Sequence, residues 1–288
     1  MSEFPHTTVG GVSLSRMIIG TNWFLGWSHQ TAAKDNFIKS HQDAKKIADI
    51  LEVYLAAGID TILGPAPVPL MMESVREAQE RTGKGMIIVD TPWVPLAAGG
   101  VDFDKAAAVL DDCAKRGAQF CLPHSSAVDA LVDRTTRTIR DMDKLCALIR
   151  ERGMTPGLST HMPETPIYAD ESGLDVETYI QIYNAAGFLM QVEVEWVHRI
   201  IQNAKKPVMT IKPMAAGRLS PLVGLAFVWS TIRDQDMVTV GALTPDEAKE
   251  DIEISRSILE RRTPEVTLQR TRSKRSVEKS TAPAGLIS

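Results

Sequence analysis

The stretch that decides the fold is residues 237–247, Met-Val-Thr-Val-Gly-Ala-Leu-Thr-Pro-Asp-Glu. Its first five residues form an apolar run rich in β-branched side chains, which predicts a buried strand. The following residues supply a threonine cap, a proline at the first helical position and a glutamate placed for a capping box, which predict a helix start. A buried strand that leads directly into a helix is the repeating unit of a parallel sheet.

The same strand-then-helix unit occurs eight times along the chain. The predicted strands are residues 17–22, 59–64, 86–90, 119–124, 155–161, 188–195, 207–212 and 237–241. The predicted helices are residues 42–56, 71–81, 104–116, 137–152, 176–186, 197–204, 222–232 and one beginning at Thr244. Eight units predict an α/β fold, a (β/α)8 TIM barrel. A doubly wound open sheet is the alternative, and the lack of a Gly-x-Gly-x-x-Gly motif after the first strand weakens it.

Composition narrows the class of protein. The chain has 288 residues, of which 44% are hydrophobic and 24% charged, as in a globular protein, and its formal net charge is −4. That charge gives no reason to expect a nucleic acid or a membrane as partner. No apolar stretch is long enough to span a bilayer, and no signal peptide begins the sequence. Three cysteines without metal-type spacing indicate reduced thiols. We therefore expect a cytoplasmic protein that acts on a small molecule, with a homo-oligomer left open.

The domain boundary falls near residue 260. We predict a single barrel domain over residues 1–260 and a basic, polar C-terminal extension over residues 261–288. Its basic residues are Arg270, Arg272, Lys274, Arg275 and Lys279. The extension either covers the surface without further function or docks an acidic partner or a neighbouring subunit.

Several motifs, taken in order, resemble those of aldo-keto reductases. They are residues 11–21 (Gly-Val-Ser-Leu-Ser-Arg-Met-Ile-Ile-Gly-Thr), 58–61 (Gly-Ile-Asp-Thr), 157–160 (Gly-Leu-Ser-Thr), 212–219 (Lys-Pro-Met-Ala-Ala-Gly-Arg-Leu) and 240–248 (Val-Gly-Ala-Leu-Thr-Pro-Asp-Glu-Ala). His124 stands where that family carries its active-site histidine. Gln191-Val192-Glu193 resembles the family's sixth strand, where a glutamine meets the nicotinamide. The resemblance implies an aldo-keto reductase-like barrel.

The same resemblance implies a divergent active site. The family uses a tyrosine as proton donor, tuned by a lysine and an aspartate. Its second strand ends Asp-Thr-Ala-x-x-Tyr, whereas residues 63–68 here are Leu-Gly-Pro-Ala-Pro-Val, and its third ends Thr-Lys, whereas this one ends Asp90-Thr91. A ketone reductase without the phenol lacks the group that protonates the developing alkoxide. The eighth unit also has no evident basic site for a 2′-phosphate. These departures favour chemistry without NADP.

Polar residues at the carboxyl ends of the predicted strands are the candidate catalytic groups, because barrel enzymes place their active sites there. They are Asn22, Asp90, His124, His161, Glu195 and Lys212. Strand alternation places Gln191, Glu193 and Glu195 on one face of the predicted sixth strand. If Gln191 points inward, as the resemblance implies, both glutamates do too. Two inward carboxylates cost several kcal/mol unless they are paired or bind a metal.

Three interpretations of these residues stay open. In the first, His124, His161 and Glu193 bind a divalent Zn, Mn, Fe or Ni ion, with Asp90 or Glu195 as a further ligand. In the second, no metal binds, the histidines act as acid and base, and Lys212 pairs with Glu193 or Glu195 or forms a Schiff base. In the third, Lys212 and Glu193 form a buried ion pair that only fills the barrel.

Substrate contacts are predicted from the loops of the same face. The long first loop, residues 22–41, is a lid candidate or a plain surface elaboration. Tryptophans near the mouth suit sugar faces or aromatic rings, or else cap the core. Arg218 binds an anionic group or pairs with a surface acid. The predicted substrate-binding residues are Asn22, Trp23, Trp27, Trp93, Gln191, Trp196 and Arg218.

The sequence thus predicts a non-redox enzyme that moves protons on a small carbonyl or hydroxyl substrate resembling a sugar. The reaction would be that of an isomerase, epimerase, lyase or aldolase, with or without a metal. Two alternatives remain. One is an NAD(P)-dependent oxidoreductase with a remodelled active site, and the other is a non-catalytic barrel that binds a ligand or a partner.

Overall fold

A parallel sheet of short strands curls into a closed barrel. The computed structural model describes residues 3–269 and 274. The barrel strands are β3 (Met17–Gly20), β4 (Thr61–Gly64), β5 (Ile87–Asp90), β8 (Phe120–Cys121), β11 (Thr155–Pro156), β12 (Leu158–Ser159), β13 (Tyr179–Ile182), β14 (Val208–Ile211) and β15 (Met237–Val240). They pair in the order β11-β8-β5-β4-β3-β15-β14-β13-β12.

The ring closes at Gly157, which separates β11 from β12. These two segments act as one strand, since β11 pairs with β8 on one side and β12 with β13 on the other. A Cβ atom at Gly157 would lie 2.8 Å from both Leu122 Cγ and the Thr178 carbonyl oxygen. Only glycine therefore fits at this seam. Counting β11 and β12 together gives eight barrel strands, which confirms the predicted (β/α)8 TIM barrel.

Ten helices surround the strands within the described residues. They are α1 (Ala32–His41), α2 (Ala44–Ala56), α3 (Pro69–Thr82), α4 (Phe103–Lys115), α5 (Ser125–Leu131), α6 (Met142–Glu151), α7 (Thr165–Ser172), α8 (Val194–Asn203), α9 (Pro221–Thr231) and α10 (Pro245–Leu259). The predicted start of α10 is present, because the Thr244 side chain accepts a hydrogen bond from the Glu247 amide. None of these helices is long and apolar enough to cross a membrane.

Two apolar clusters separate the barrel interior from the helix layer. The interior holds one side of each strand, including Ile18, Val89 and Ile180, and it receives Val9 and Leu14 from an N-terminal hairpin. The larger cluster lies between the strands and the helices. The hairpins are β1 (His6–Val9) with β2 (Val12–Ser15), β6 (Leu96–Ala97) with β7 (Gly100–Val101), and β9 (Val132–Asp133) with β10 (Thr138–Ile139).

The prediction is wrong for the sixth strand. Residues 176–186 were expected to form a helix, but they contain β13, which pairs with β14 over four residues. Their sequence Thr-Tyr-Ile-Gln-Ile-Tyr is rich in β-branched and aromatic side chains, which suit a strand. Residues 188–195, expected to be the strand, form a loop and the start of α8. Positive φ angles of 60° at Leu189 and 43° at Gln191 are incompatible with an extended strand.

The predicted domain boundary stays a prediction. The last described helix, α10, ends at Leu259, close to residue 260. Most of the predicted extension, residues 270–273 and 275–288, lies outside the described residues.

Candidate active site

A cleft opens at the carboxyl ends of the barrel strands. It consists of two adjoining cavities of about 110 and 310 Å³. Lys212 and Trp27 border both cavities. The smaller lies against the ends of β3, β14 and β15, and the larger against the ends of β4, β12 and β13 and the loops after β5 and β8. The shared lining is Asn22, Trp27, His29, Leu63, Ile211 and Lys212.

Lys212 follows β14 and lies in the wall of both cavities. Its backbone φ of 61° turns the chain sharply at the strand end. Its Nζ lies 3.2 Å from His29 Nε2, and no carboxylate in residues 3–269 lies within 4.0 Å of it. Burial lowers the pKa of Lys212 to about 8. The side chain is therefore mostly a cation at neutral pH, but it releases its proton far more readily than an exposed lysine does.

His29 links the long first loop to Lys212. Its Nε2 lies 3.3 Å from Asn22 Nδ2 as well as close to Lys212 Nζ. Both neighbours are donors, so Nε2 is the acceptor and the ring proton is assigned to Nδ1. Burial and the Lys212 ammonium lower the pKa of His29, and Asp35 partly offsets them.

His124 caps α5 and presents one nitrogen to the cleft. Its Nδ1 accepts a hydrogen bond from the Ser126 amide at 3.2 Å. An amide can only donate, so Nδ1 carries no proton and Nε2 is the N–H of the neutral ring. Burial and the Lys212 charge lower the pKa of His124, which keeps the ring neutral at pH 7.

His161 is fixed through its backbone, whereas its ring has no hydrogen-bond partner in residues 3–269. The Asp129 carboxylate accepts from the His161 amide at 3.2 Å and from Thr160 Oγ1 at 2.6 Å. Burial lowers the pKa of His161 to about 4, helped by the charge of Lys212. The ring is neutral and available to a ligand.

The first loop covers the mouth with aromatic side chains. Trp27 meets Trp93 edge to face with ring centroids 6.4 Å apart, and Trp93 lies 5.9 Å from His124. A Cβ atom at Gly241 would lie 2.9 Å from Trp23 Cδ1, so this glycine makes room for the loop. Gln30 Nε2 also donates to the Ala216 carbonyl at 2.8 Å, which fastens the loop to the segment after β14.

Seven of the predicted site residues thus meet at the mouth. They are Asn22, Trp23, Trp27, Trp93, His124, His161 and Lys212. His29 was absent from the predicted set, although its place in a loop with Trp23 and Trp27 is a usable signal. Asp129 was also missed, because its role depends on the fold that brings α5 behind His161.

The placement predicted for Asp90 is corrected, because the residue faces the helix layer. Val89 points into the barrel, so the alternation of the strand turns Asp90 outward. Its Oδ1 accepts from the Ala66 amide at 3.0 Å, and its Oδ2 lies 3.6 Å from Arg116 Nη2 on the α4 side. Burial raises the pKa of this carboxyl group. It lines neither cavity of the cleft.

Four further predicted residues lie away from the mouth because the sixth strand is elsewhere. Gln191, Glu193, Glu195 and Trp196 are exposed in the loop before α8 or its first turn. Glu193 therefore joins neither His124 and His161 nor Lys212. Arg218 also faces elsewhere: it stacks 4.0 Å from the Phe188 ring centroid, and its Nη1 donates to the Ala215 carbonyl.

No tyrosine reaches the cleft, and all four tyrosines are described. Tyr179 donates to Asp170 at 2.6 Å, and Tyr183 donates to Thr231 at 3.0 Å, both in the helix layer. Tyr54 and Tyr168 line neither cavity. The only group in the mouth that is a cation at neutral pH and can lose a proton near pH 8 is Lys212, as far as residues 3–269 are concerned.

Solved structures that share the fold include proteins described as aldo-keto reductases. A protein from Pseudomonas aeruginosa assigned to them superposes with a TM-score of 0.63 at 19% identity, covering 88% of this chain and 96% of its own. One from Brucella melitensis gives 0.57 at 14% identity, with 90% and 98% covered. An aldo-keto reductase from a deep-sea metagenome library gives 0.57 at 10% identity, with 92% and 97% covered.

The comparison confirms the aldo-keto reductase-like barrel as the fold. No model of a protein family matches the sequence, and no curated protein matches it. The prediction of a non-redox isomerase, epimerase, lyase or aldolase is wrong, because the structures that share the fold are reductases.

The preference for a Zn, Mn, Fe or Ni ion over NADP is also wrong. No three His, Cys, Asp or Glu side chains of the described residues are grouped so that they could hold a metal ion. The physical reason is the shift of the sixth strand. It removes Glu193 and Glu195 from the barrel and leaves the two histidines without a carboxylate ligand.

Proposed function

We propose that the protein is a nicotinamide-dependent oxidoreductase that reduces a small carbonyl compound, with Lys212 as proton donor. The observation that carries the proposal is the Lys212 ammonium, which borders both cavities of the cleft and has a pKa of about 8. A catalytic acid works best when its pKa lies near the working pH. The four tyrosines lie outside the cleft, so the lysine takes the part of the phenol.

The residues of the smaller cavity fit a nicotinamide dinucleotide by their chemistry. Such a cofactor joins flat rings to two phosphate anions. The cavity offers the indoles of Trp23 and Trp27 to a ring. No aspartate or glutamate of the described residues lines it. When bound, the reduced nicotinamide supplies the hydride that the carbonyl carbon receives.

The protein's own groups then serve the carbonyl oxygen. As negative charge develops on that oxygen, Lys212 Nζ gives it a proton and becomes a neutral amine. His29 Nε2 accepts a hydrogen bond from the ammonium at 3.2 Å and so fixes its direction. His124 also presents an N–H, at Nε2, to the larger cavity beside the reacting group. The indoles of Trp27 and Trp93 exclude water and strengthen these interactions.

The three cysteines support a reducing compartment. Cys113, Cys121 and Cys146 are all free and buried. We therefore keep the cytoplasm as the proposed location, and a homo-oligomer remains a prediction from the sequence.

The test begins with binding. We expect NADH or NADPH to bind saturably, with quenching of tryptophan emission, and a panel of aldehydes and ketones to be turned over. Above pH 8, kcat/KM for reduction should fall about tenfold for each pH unit, because Lys212 of the free protein must carry its proton. Lys249→Met, on the exposed face of α10, should show the same profile as the unaltered protein. Failure of both dinucleotides to bind would contradict the proposal.

A further inference from the structure

The larger cavity is lined by basic side chains and by no carboxylate of the described residues. The side chains of His29, His124, His161 and Lys212 line it, and no aspartate or glutamate of residues 3–269 does. We propose that the substrate of the proposed reductase carries a carboxylate beside its reacting carbonyl, so that it is a 2-oxo acid. His124 and His161 hold the carboxylate while Lys212 faces the oxo oxygen. The inference rests on the proposed function.

The carboxylates nearby are committed to the protein itself. Asp35 accepts from the Ser28 amide at 2.9 Å and from the Ser28 hydroxyl. Asp129 accepts from Thr160 and from the amide of His161. Asp90 faces the helix layer. The Lys212 charge thus has no counterion from the described residues, and a buried charge without one is costly. An anionic ligand would supply it.

The free donors of the cavity suit a carboxylate. His124 has its proton on Nε2, because Nδ1 is occupied by the Ser126 amide. The His161 ring has no partner in the described residues, and Lys212 adds an ammonium. Hydrogen bonds to an ionised oxygen are about twice as strong as neutral ones, and more so where water is excluded. Two oxygens of a carboxylate and one oxo oxygen match three such donors.

The rim points to the remainder of the substrate. Trp93 is 45% exposed, and its ring centroid lies 5.9 Å from that of His124. Trp27 meets it edge to face. A flat apolar group attached to the oxo carbon would therefore lie against these indoles while its carboxylate reached the histidines. We take an aryl 2-oxo acid as the probe.

Calorimetric titration with phenylglyoxylate tests the inference, and its uncharged methyl ester is the matched control. At pH 8 we expect the acid to bind at least tenfold more tightly than the ester. Binding should take up protons, measured in two buffers of different ionisation enthalpy, because the anion raises the pKa of Lys212 from about 8. Equal affinity for acid and ester, or binding without proton uptake, would overturn the inference.

A substitution of His161 tests whether the histidines bind the substrate carboxylate. His161→Asn should weaken phenylglyoxylate about tenfold and leave the ester unchanged, whereas His41→Asn on exposed α1 should change neither. His161→Gln, with its fold checked by circular dichroism, replaces the first variant if that one does not fold. Unchanged affinity for the acid in a folded variant would overturn the assignment.

Competition separates this inference from the proposed function. If NADH or NADPH displaces phenylglyoxylate, the anion site belongs to a cofactor phosphate and the substrate inference is overturned. If acid and dinucleotide bind together, the inference is supported. If the acid binds with proton uptake and neither dinucleotide binds, the anion site stands and the proposed reductase activity fails.

Discussion

The barrel mouth and the helix layer differ in their buried polar groups. The mouth holds Lys212 and histidine rings with free donors and no acid from residues 3–269. The helix layer behind the same strands holds carboxylates and phenols that bond to one another or to hydroxyl groups, as Tyr179 does to Asp170 and Tyr183 to Thr231. Adjacent residues of one strand face these two environments. A shift of one residue along a strand therefore decides whether a polar side chain faces the cleft or packs in the helix layer.

The unpaired groups of the two regions are shifted in opposite directions. Burial lowers the pKa of Lys212 to about 8 in the mouth. Burial and two glutamates raise the pKa of Asp251 to about 8 in α10, where it lies near the hydroxyl of Tyr54. Both groups lower stability when they are charged. Only Lys212 faces a cavity that a substrate can enter. We therefore expect the loss of stability caused by a buried charge to serve catalysis at Lys212 and not at Asp251.

The largest effect should come from Lys212→Met. Removing a proton donor should reduce kcat for carbonyl reduction by about 10²–10⁴-fold. The same variant should raise the free energy of unfolding at pH 7 by about 1–2 kcal/mol, because a buried cation is removed. Steady-state kinetics and urea unfolding measure the two effects, with Lys249→Met as control. Loss of both activity and stability would make Lys212 a structural residue.

A smaller effect is expected from Gly241→Ala at the edge of the mouth. The added Cβ would lie 2.9 Å from Trp23 and 3.1 Å from the Gly20 carbonyl, which should cost about 1–3 kcal/mol and displace the first loop. Tryptophan emission should move to longer wavelength and KM should rise. Gly85→Ala has open space around it and is the control. Unchanged emission would show that Trp23 is not held by this glycine.

Asp251→Asn probes the helix layer. The folded pKa of Asp251 lies above its unfolded value, so the unaltered protein loses stability as pH rises from about 4 to about 8. The variant should lack that loss. It should be more stable by about 1–3 kcal/mol above pH 8, equal below pH 4, and unchanged in kcat. Thermal melts across pH measure this, with exposed Asp246→Asn as control. A fall in kcat would break the division between the two regions.

The smallest effect is expected from Glu193→Gln combined with Glu195→Gln. Both residues are exposed at the start of α8, and Glu193 makes no capping hydrogen bond with its side chain. Activity should change by less than about twofold. The free energy of unfolding should change by less than about 1 kcal/mol, because the substitutions remove only the favourable interaction of negative charges with the start of a helix. Kinetics and urea unfolding are again sufficient. A large loss of activity would show that the two glutamates take part in the active site.

Much of the barrel could be read from the sequence, because seven strands show a short apolar run before a helix signal. The sixth failed for a physical reason. Residues 192–195 alternate valine with glutamate as a half-buried strand does, yet positive φ angles at Leu189 and Gln191 place the preceding residues in a loop. The true strand β13 lies in a stretch whose spacing also fits a helix, and pairing with β14 decides between the two.

Residues of the candidate site could be predicted from the sequence wherever the end of the preceding strand could be located. Lys212, His124 and His161 follow correctly located strands, and all three reach the cleft. Asp90 also follows one, but a side chain at a strand end faces inward or outward according to the pleat, and the sequence did not settle which. His29 depends on the path of a loop across the mouth, which local pattern does not determine.

The pairing of β3 with β15 has a consequence for synthesis on the ribosome. These are the first and the last strands of the barrel, and each is a neighbour of the other in the ring. Until β15 has emerged, one edge of β3 and the edge of the newest strand have no partner. Open edges are the places where nascent sheets pair with other chains. A ribosome that pauses before residue 237 therefore exposes more aggregation-prone backbone than one that pauses later, and short strands of two to four residues keep that exposure small.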